Sequence, residues 1–239
     1  MPSFLIDIRS LLFILMAGAA IECLAMLLIW LTRKTYSGFG LWTAGNATFA
    51  AAFFLIFLRG IIPDVFTVLL ANVFIMGAAV LYYEGTLRFR QLVSQKIDSA
   101  ALITLIAVTI FYFRYVDDLI GVRIIAASLL LAVVFGLVAW SLLRDIPSDQ
   151  RPTYWLTGCF FTITSVFMLA RAVFVASRPS IQDLFDPNFI QTLTFLLPLL
   201  LSIPWTFCFF ILNIERLELE FTAEINERRI AAGMEMSQS

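Results

Sequence analysis

The sequence predicts an all-α, polytopic membrane protein: a bundle of seven transmembrane helices followed by a charged helical tail. Three observations carry this. The 239 residues are 61% hydrophobic with mean hydropathy +0.94, where soluble domains run nearer 45–50% apolar. The apolar residues fall into seven blocks, each close to the roughly 20 residues that a helix needs to cross a bilayer core about 30 Å thick. Within a block the composition is continuously apolar rather than alternating, which argues against a β-barrel.

The blocks are Leu11–Leu31, Leu41–Leu58, Val65–Leu87, Ala100–Phe113, Val122–Leu143, Tyr154–Val175 and Phe189–Leu212. The first is too long for the core of a cleavable signal peptide, and it lacks small residues before its basic flank Arg33-Lys34, so it is expected to stay as a span. The fourth is the shortest and would borrow Ile97 and Tyr115 or sit in thinned bilayer. The links are short. Tyr36-Ser37-Gly38-Phe39-Gly40 reads as a turn, Pro63-Asp64 marks the next link, and Pro147 to Pro152 another. The longest link, Ala176 to Asn188, could cap one mouth of the bundle.

Basic residues set the expected orientation. Of 16 Lys and Arg, ten lie at the ends that carry Arg33, Lys34, Arg88 and Arg144, and six at the ends that carry Arg59, Arg114, Arg123 and Arg171. The richer side is expected to be cytoplasmic, which leaves the N-terminus outside and the tail inside. The expected organisation is thus a transmembrane domain over 1–212 and a cytoplasmic linker helix over 213–239. From Asn213 the chain has no Pro or Gly until Gly233, so the seventh helix should run on past the membrane. Ile214, Leu217, Phe221 and Ile225 fall on one helical stripe. Either this helix is simply solvated, or it pairs with its copy in a homodimer and transmits a signal. The polar ending after Arg228-Arg229 suggests that an output domain follows.

Several chemistries are disfavoured. The formal net charge of −1 gives nucleic acid no basic surface to bind. Histidine is absent, which removes His-ligated haem or zinc and His acid–base catalysis. The cysteines Cys23, Cys159 and Cys208 sit within apolar blocks and form no C-x-x-C pair, as small buried hydrophobes do. Lys34 and Lys96 lie outside the blocks, so no lysine is placed to bind retinal. No enzyme activity and no cofactor is expected.

Polar groups inside the apolar blocks are costly and ask for a reason. Glu22 lies eleven residues into the first block, about 16 Å deep at 1.5 Å per residue. It is either an interhelix hydrogen-bonding group, with Gly18 one turn away allowing close approach, or a ligand or proton site. Arg171 lies one turn inside the sixth block and shares a face with Thr157 and Thr164. Arg59 ends the second block, Arg123 opens the fifth, Asn72 lies in the third and Gln191 opens the seventh. These groups share one depth layer. Arg59 and Arg123 either snorkel to headgroups or converge with Arg171 on an outward-facing pocket for a carboxylate or phosphate. Asp64 and Asp117-Asp118 are the acids in reach to pair with the arginines, and Asp64 is itself a candidate pocket residue. Pro198 and Pro204 interrupt the seventh block, as static kinks or as a hinge between pocket and tail.

Tyr36-Ser37-Gly38-Phe39-Gly40-Leu41-Trp42-Thr43-Ala44-Gly45-Asn46 resembles a "YPGF-x-x-W-x-x-GN" signature, with Ser37 in place of Pro. Leu58-Arg59-Gly60-Ile61-Ile62-Pro63-Asp64 resembles "LRG-x-x-PD", followed by Ala71-Asn72 and Leu81-Tyr82-Tyr83-Glu84-Gly85. Asn213-Ile214-Glu215-Arg216-Leu217-Glu218-Leu219-Glu220 is similar to "N-x-E-R-L-x-x-E". With Ala170-Arg171-Ala172, and in this order, these resemble the N-terminal multi-helix sensor region of bacterial GGDEF-type diguanylate cyclases and of some sensor histidine kinases. The strong part covers about a fifth of the chain. The resemblance implies a sensor module of the bacterial inner membrane that acts on a cytoplasmic output domain. The rival is a small secondary transporter or another anion-binding membrane protein. Transporters favour internal repeats and broken helices, and no repeat is visible here.

Overall fold

The computed structural model describes residues 8–92, 99–146, 151–177 and 189–237, with side chains described for 9–92, 99–146, 151–177 and 192–230. Ile97, most of the Ala176–Asn188 link and the stretch 147–150 lie outside this description. The described residues form helices and no strand. They are α1 (Ile8–Thr32), α2 (Phe39–Phe57), α3 (Ala71–Phe89, preceded without a break by a π-helical turn Val65–Leu70), α4 (Ser99–Tyr115), α5 (Ile120–Leu143), α6 (Arg151–Ser177) and α7 (Phe189–Ser237). Six are long and apolar enough to cross a membrane; α4, with 17 residues, is the shorter apolar exception.

The six long helices close a ring of neighbours: α1 on α2, α2 on α3, α3 on α5, α5 on α6, α6 on α7, and α7 back on α1. The short α4 packs against α3 and α5. It buries only Ile106 and Ile110, as expected of a helix laid on the outside of the ring. Each long helix turns apolar side chains outward, among them Ile21, Leu24, Leu28, Trp140 and Val173. The inward faces carry hydroxyls, amides and guanidiniums, including Thr43, Asn46, Ser128, Thr157, Thr164, Arg171, Ser202 and Thr206. An apolar exterior around an apolar core that also holds these polar groups suits a bilayer as solvent.

The centre is aromatic. Trp205 stacks on Phe161 with centroids 5.1 Å apart, and Phe161 meets Phe209 at 5.9 Å. Phe209 stacks on Trp42 at 4.0 Å, and Trp42 meets Phe89 at 4.9 Å. These rings form a continuous column drawn from α7, α6, α2 and α3. Offset and tilted ring pairs stabilise beyond their buried area.

The α2–α3 interface explains much of the glycine-aromatic pattern in this part of the chain. Gly38 adopts φ +102°, and a Cβ there would stand 2.2 Å from the Gly85 carbonyl oxygen. A Cβ on Gly85 would reach 2.6 Å from the Trp42 ring, and one on Gly45 would reach 2.8 Å from the Tyr82 ring. Glycine therefore lets the backbone turn at the start of α2 and lets the two large rings seat against backbone. The helix that leaves this core, α7, runs 49 residues, about 70 Å at 1.5 Å per residue. It passes through Pro198 and Pro204 without a break.

Candidate functional site: an arginine-lined cavity and two polar clusters

A cavity of about 140 Å³ opens among α2, α3, α5, α6 and α7, at the end of the bundle opposite the tail. Its upper wall carries Arg59 from the end of α2, Thr67 and Asn72 from the π-helical turn and α3, Arg123 from the first turn of α5, Arg171 from α6 and Thr194 from α7. Phe195 stands beside Thr194, and the floor is Phe49, Phe53, Phe135 and Trp205. Thr194 and Trp205 are eleven residues apart on α7, about 16 Å along the axis. The void therefore reaches well into the bundle.

Arg123 and Arg171 are 6% and 8% exposed. Arg123 pairs with Asp118 at 2.9 Å through Nη2, but its Nη1 has no partner. Arg171 donates from Nη1 to Ser128 Oγ at 3.2 Å, and its Nε has no partner. Thr67 Oγ1 and Trp205 Nε1 are also buried without a partner. Of the seven buried side-chain atoms without a partner among the described residues, these four belong to the cavity wall, and Arg114 Nε, Arg144 Nε and Glu215 Oε2 lie elsewhere. Buried donors are satisfied in the great majority of folded structures. Four orphans around one void mark a place shaped to receive acceptors.

Of the residues expected from sequence, Arg59, Asn72, Arg123 and Arg171 line this one cavity. Asn72 also donates to the Val68 carbonyl at 2.7 Å, one turn back. The side chain of Gln191 lies outside the described residues. Asp64 is a correction: it does not line the cavity but is ion-paired to Arg114 at the end of α4. Arg114 also holds Asp118, four residues on, and Asp118 in turn holds Arg123. The acids thus form a cluster beside the cavity and face Arg114 first. Among the described residues no carboxylate meets Arg171. The i,i+4 spacing of Arg114 and Asp118 was visible in the sequence; the reach of Asp64 across to α4 was not.

Glu22 is also placed away from the cavity. Its two carboxylate oxygens accept from Ser202 Oγ at 2.8 Å and Thr206 Oγ1 at 3.2 Å, which ties α1 to α7. Thr206 Oγ1 accepts from Asn46 Nδ2 at 3.2 Å, and the Tyr82 hydroxyl donates to Asn46 Oδ1. Glu22, Ser202, Thr206, Asn46 and Tyr82 thus join four helices in one buried network. Leu199 of α7 lies 3.4 Å from where a Gly18 Cβ would stand, so the small residue does admit its neighbour. Of the two readings of Glu22, this geometry is that of the interhelix group.

A second cluster holds the root of the tail. Asn213 Oδ1 accepts from the Tyr36 backbone N–H at 2.9 Å, and the Tyr36 hydroxyl donates to the Arg216 carbonyl at 3.2 Å. The Arg216 guanidinium donates to the Phe89 carbonyl and lies over the Tyr36 and Phe89 rings, 4.3 and 5.1 Å from their centroids. Thr153 Oγ1 donates to Glu215 at 2.6 Å. Burial first, then the Glu220 carboxylate, push the Tyr36 phenol up to about 12. The α1–α2 turn, the end of α3 and the start of α6 therefore grip α7 where it leaves the bundle. Within the gripped stretch Ile214 is 51% exposed and beyond it Phe221 is 66% exposed, while Leu217 and Ile225 are half-buried.

Comparison with protein-family models, with curated proteins and with solved structures yields no match. The functional reading therefore rests on this geometry and on the sequence motifs.

Proposed function

We propose that this chain is the membrane input module of a bacterial signalling protein. It takes a small anion into the arginine-lined cavity and passes occupancy to its tail through α7. One observation carries the reading: α7 supplies Thr194, Phe195, Pro198 and Trp205 to the cavity wall and then continues as the exposed charged tail. A ligand that binds two arrangements of this wall unequally shifts their populations, and the same rod carries the shift out of the bundle. Pro198, one of the cavity residues, and Pro204 leave the carbonyls one turn earlier without their helical donors, which gives α7 points at which to bend.

In this reading all seven helices span the inner membrane, with α4 seated in locally thinned bilayer. The cavity opens outside, and the tail is cytoplasmic. Leu217, Phe221 and Ile225 face the same stripe of a second copy, and a diguanylate cyclase or histidine kinase domain follows. The order of the sensor-like motifs supports this, as does the way Asn213 and Arg216, two of the motif residues, are gripped by Tyr36 and Phe89.

The test is a fusion of the full chain to a cyclase domain, with one to four residues inserted after Leu219. Output should rise and fall with helical phase. Equal output from every insertion sinks rod-like transmission, and a reporter at Ser239 that is active only outside the cytoplasm sinks the topology.

A further inference from the structure

The cavity's two ends differ in chemistry, and the difference specifies a class of ligand. The upper wall offers one nitrogen on each of two arginines and a threonine hydroxyl without a partner: Arg171 Nε, Arg123 Nη1 and Thr67 Oγ1. Guanidinium edges match a carboxylate through parallel donors. Four guanidiniums gather at this end: Arg59, which already has a partner of its own, Arg114, Arg123 and Arg171. Asp118 already meets Arg123 and Arg114, and Asp64 meets Arg114, whereas Arg171 faces no carboxylate among the described residues. A second carboxylate on the ligand would have to lie at the aromatic end, where no cationic side chain lines the void, and burying an unpaired charge is costly.

The floor excludes further charge. Phe49, Phe53, Phe135 and Trp205 line it, and the one polar atom they present without a partner is the Trp205 Nε1–H. The volume, about 140 Å³, is that of a void able to hold one benzene-sized body, since an engineered apolar cavity of about 150 Å³ takes up benzene.

Building on the anion-receptor reading, we propose that the ligand is a monocarboxylate with a compact apolar body of about one ring. Its carboxylate lies against Arg171, Arg123 and Thr67. Its body lies on the aromatic floor, with space for one uncharged oxygen to accept from Trp205.

The experiment uses the full chain in nanodiscs and measures thermal shift and calorimetric binding. The probes are benzoate, 4-hydroxybenzoate, hexanoate, benzyl alcohol, phosphate, succinate and oleate. Benzoate, 4-hydroxybenzoate or hexanoate should raise the melting temperature and bind at least tenfold more tightly than phosphate, succinate or benzyl alcohol. Oleate, too bulky for the void, should give no shift. Arg171→Met should weaken carboxylate binding at least tenfold. Ala127 of α5 also lines the void, and Ala127→Leu, which keeps every arginine and fills that space, should do the same. Preference for phosphate or succinate overturns the monocarboxylate while leaving the anion receptor standing. Equal binding of benzyl alcohol and benzoate overturns the role of the arginines. A response to oleate alone overturns the size limit and points to a bilayer source. No response to any probe overturns both the ligand class and the anion receptor.

Discussion

Two buried polar clusters in this bundle follow opposite rules. Around Glu22, each carboxylate oxygen accepts a hydroxyl, and Asn46 and Tyr82 complete a network across α1, α2, α3 and α7. Around Arg171, donors are buried with nothing to receive them. The first cluster spends its polar groups on one another, so it fixes helix positions. The second leaves some of them facing a void with no protein acceptor. An ionisable group inside an apolar helix thus has two very different meanings. Counting its satisfied partners separates them.

The contrast makes predictions of opposite sign. The largest concerns packing at the network: Gly45→Leu forces atoms into the Tyr82 ring and should cost about 3 kcal/mol of stability, whereas Ala127→Leu at the cavity should melt no lower than the parent. Thermal unfolding of both in one detergent checks this, and equal losses would erase the distinction. Next, Arg171→Met removes a buried guanidinium with no carboxylate partner and should raise stability by about 2 kcal/mol. A lower melting temperature would mean that Arg171 is already satisfied. Smaller, and reversed in sign, Glu22→Leu strips the acceptor from Ser202 and Thr206 and should cost about 1 kcal/mol. The smallest effect belongs to the tail root. Tyr36→Phe loses one hydrogen bond to the Arg216 carbonyl, about 0.5 kcal/mol. It should show as faster amide exchange near 213–220 with no change in global melting.

The helices were legible because continuous apolar runs mark spans regardless of tertiary context. The block Leu41–Leu58 became α2 at Phe39–Phe57, and the run Val65–Leu87 became the π-helical turn plus α3. α4 extends to Tyr115, one of the two residues the short block could borrow, and the other, Ile97, lies outside the described residues. Its place outside the ring was not legible, since nothing in a run of apolar residues says which neighbours it meets. At the cavity, Arg59, Asn72, Arg123 and Arg171 could be grouped by depth alone. Thr67 and Trp205 were missed because a lone threonine or tryptophan is ordinary within an apolar run, and only the assembled bundle shows that their polar atoms lack partners. Asp64 was misassigned because depth does not reveal lateral neighbours, and Arg114 reaches it first. The glycine-aromatic motif was visible as a pattern, but its reason, rings seated against glycine backbone, needed the α2–α3 contact.

The aromatic column divides the five tryptophans into two optical populations. Trp42 and Trp205 are sealed within it, at 0% and 1% exposure, each stacked on a phenylalanine. Trp30, Trp140 and Trp155 stand 48%, 61% and 49% exposed on the outer face. Brominated acyl chains, which quench indole emission on contact, will silence the outer three and spare the inner pair. What still glows comes from the cavity floor and from the ring beside Phe89, so the bundle carries unlabelled lamps near both of its working ends.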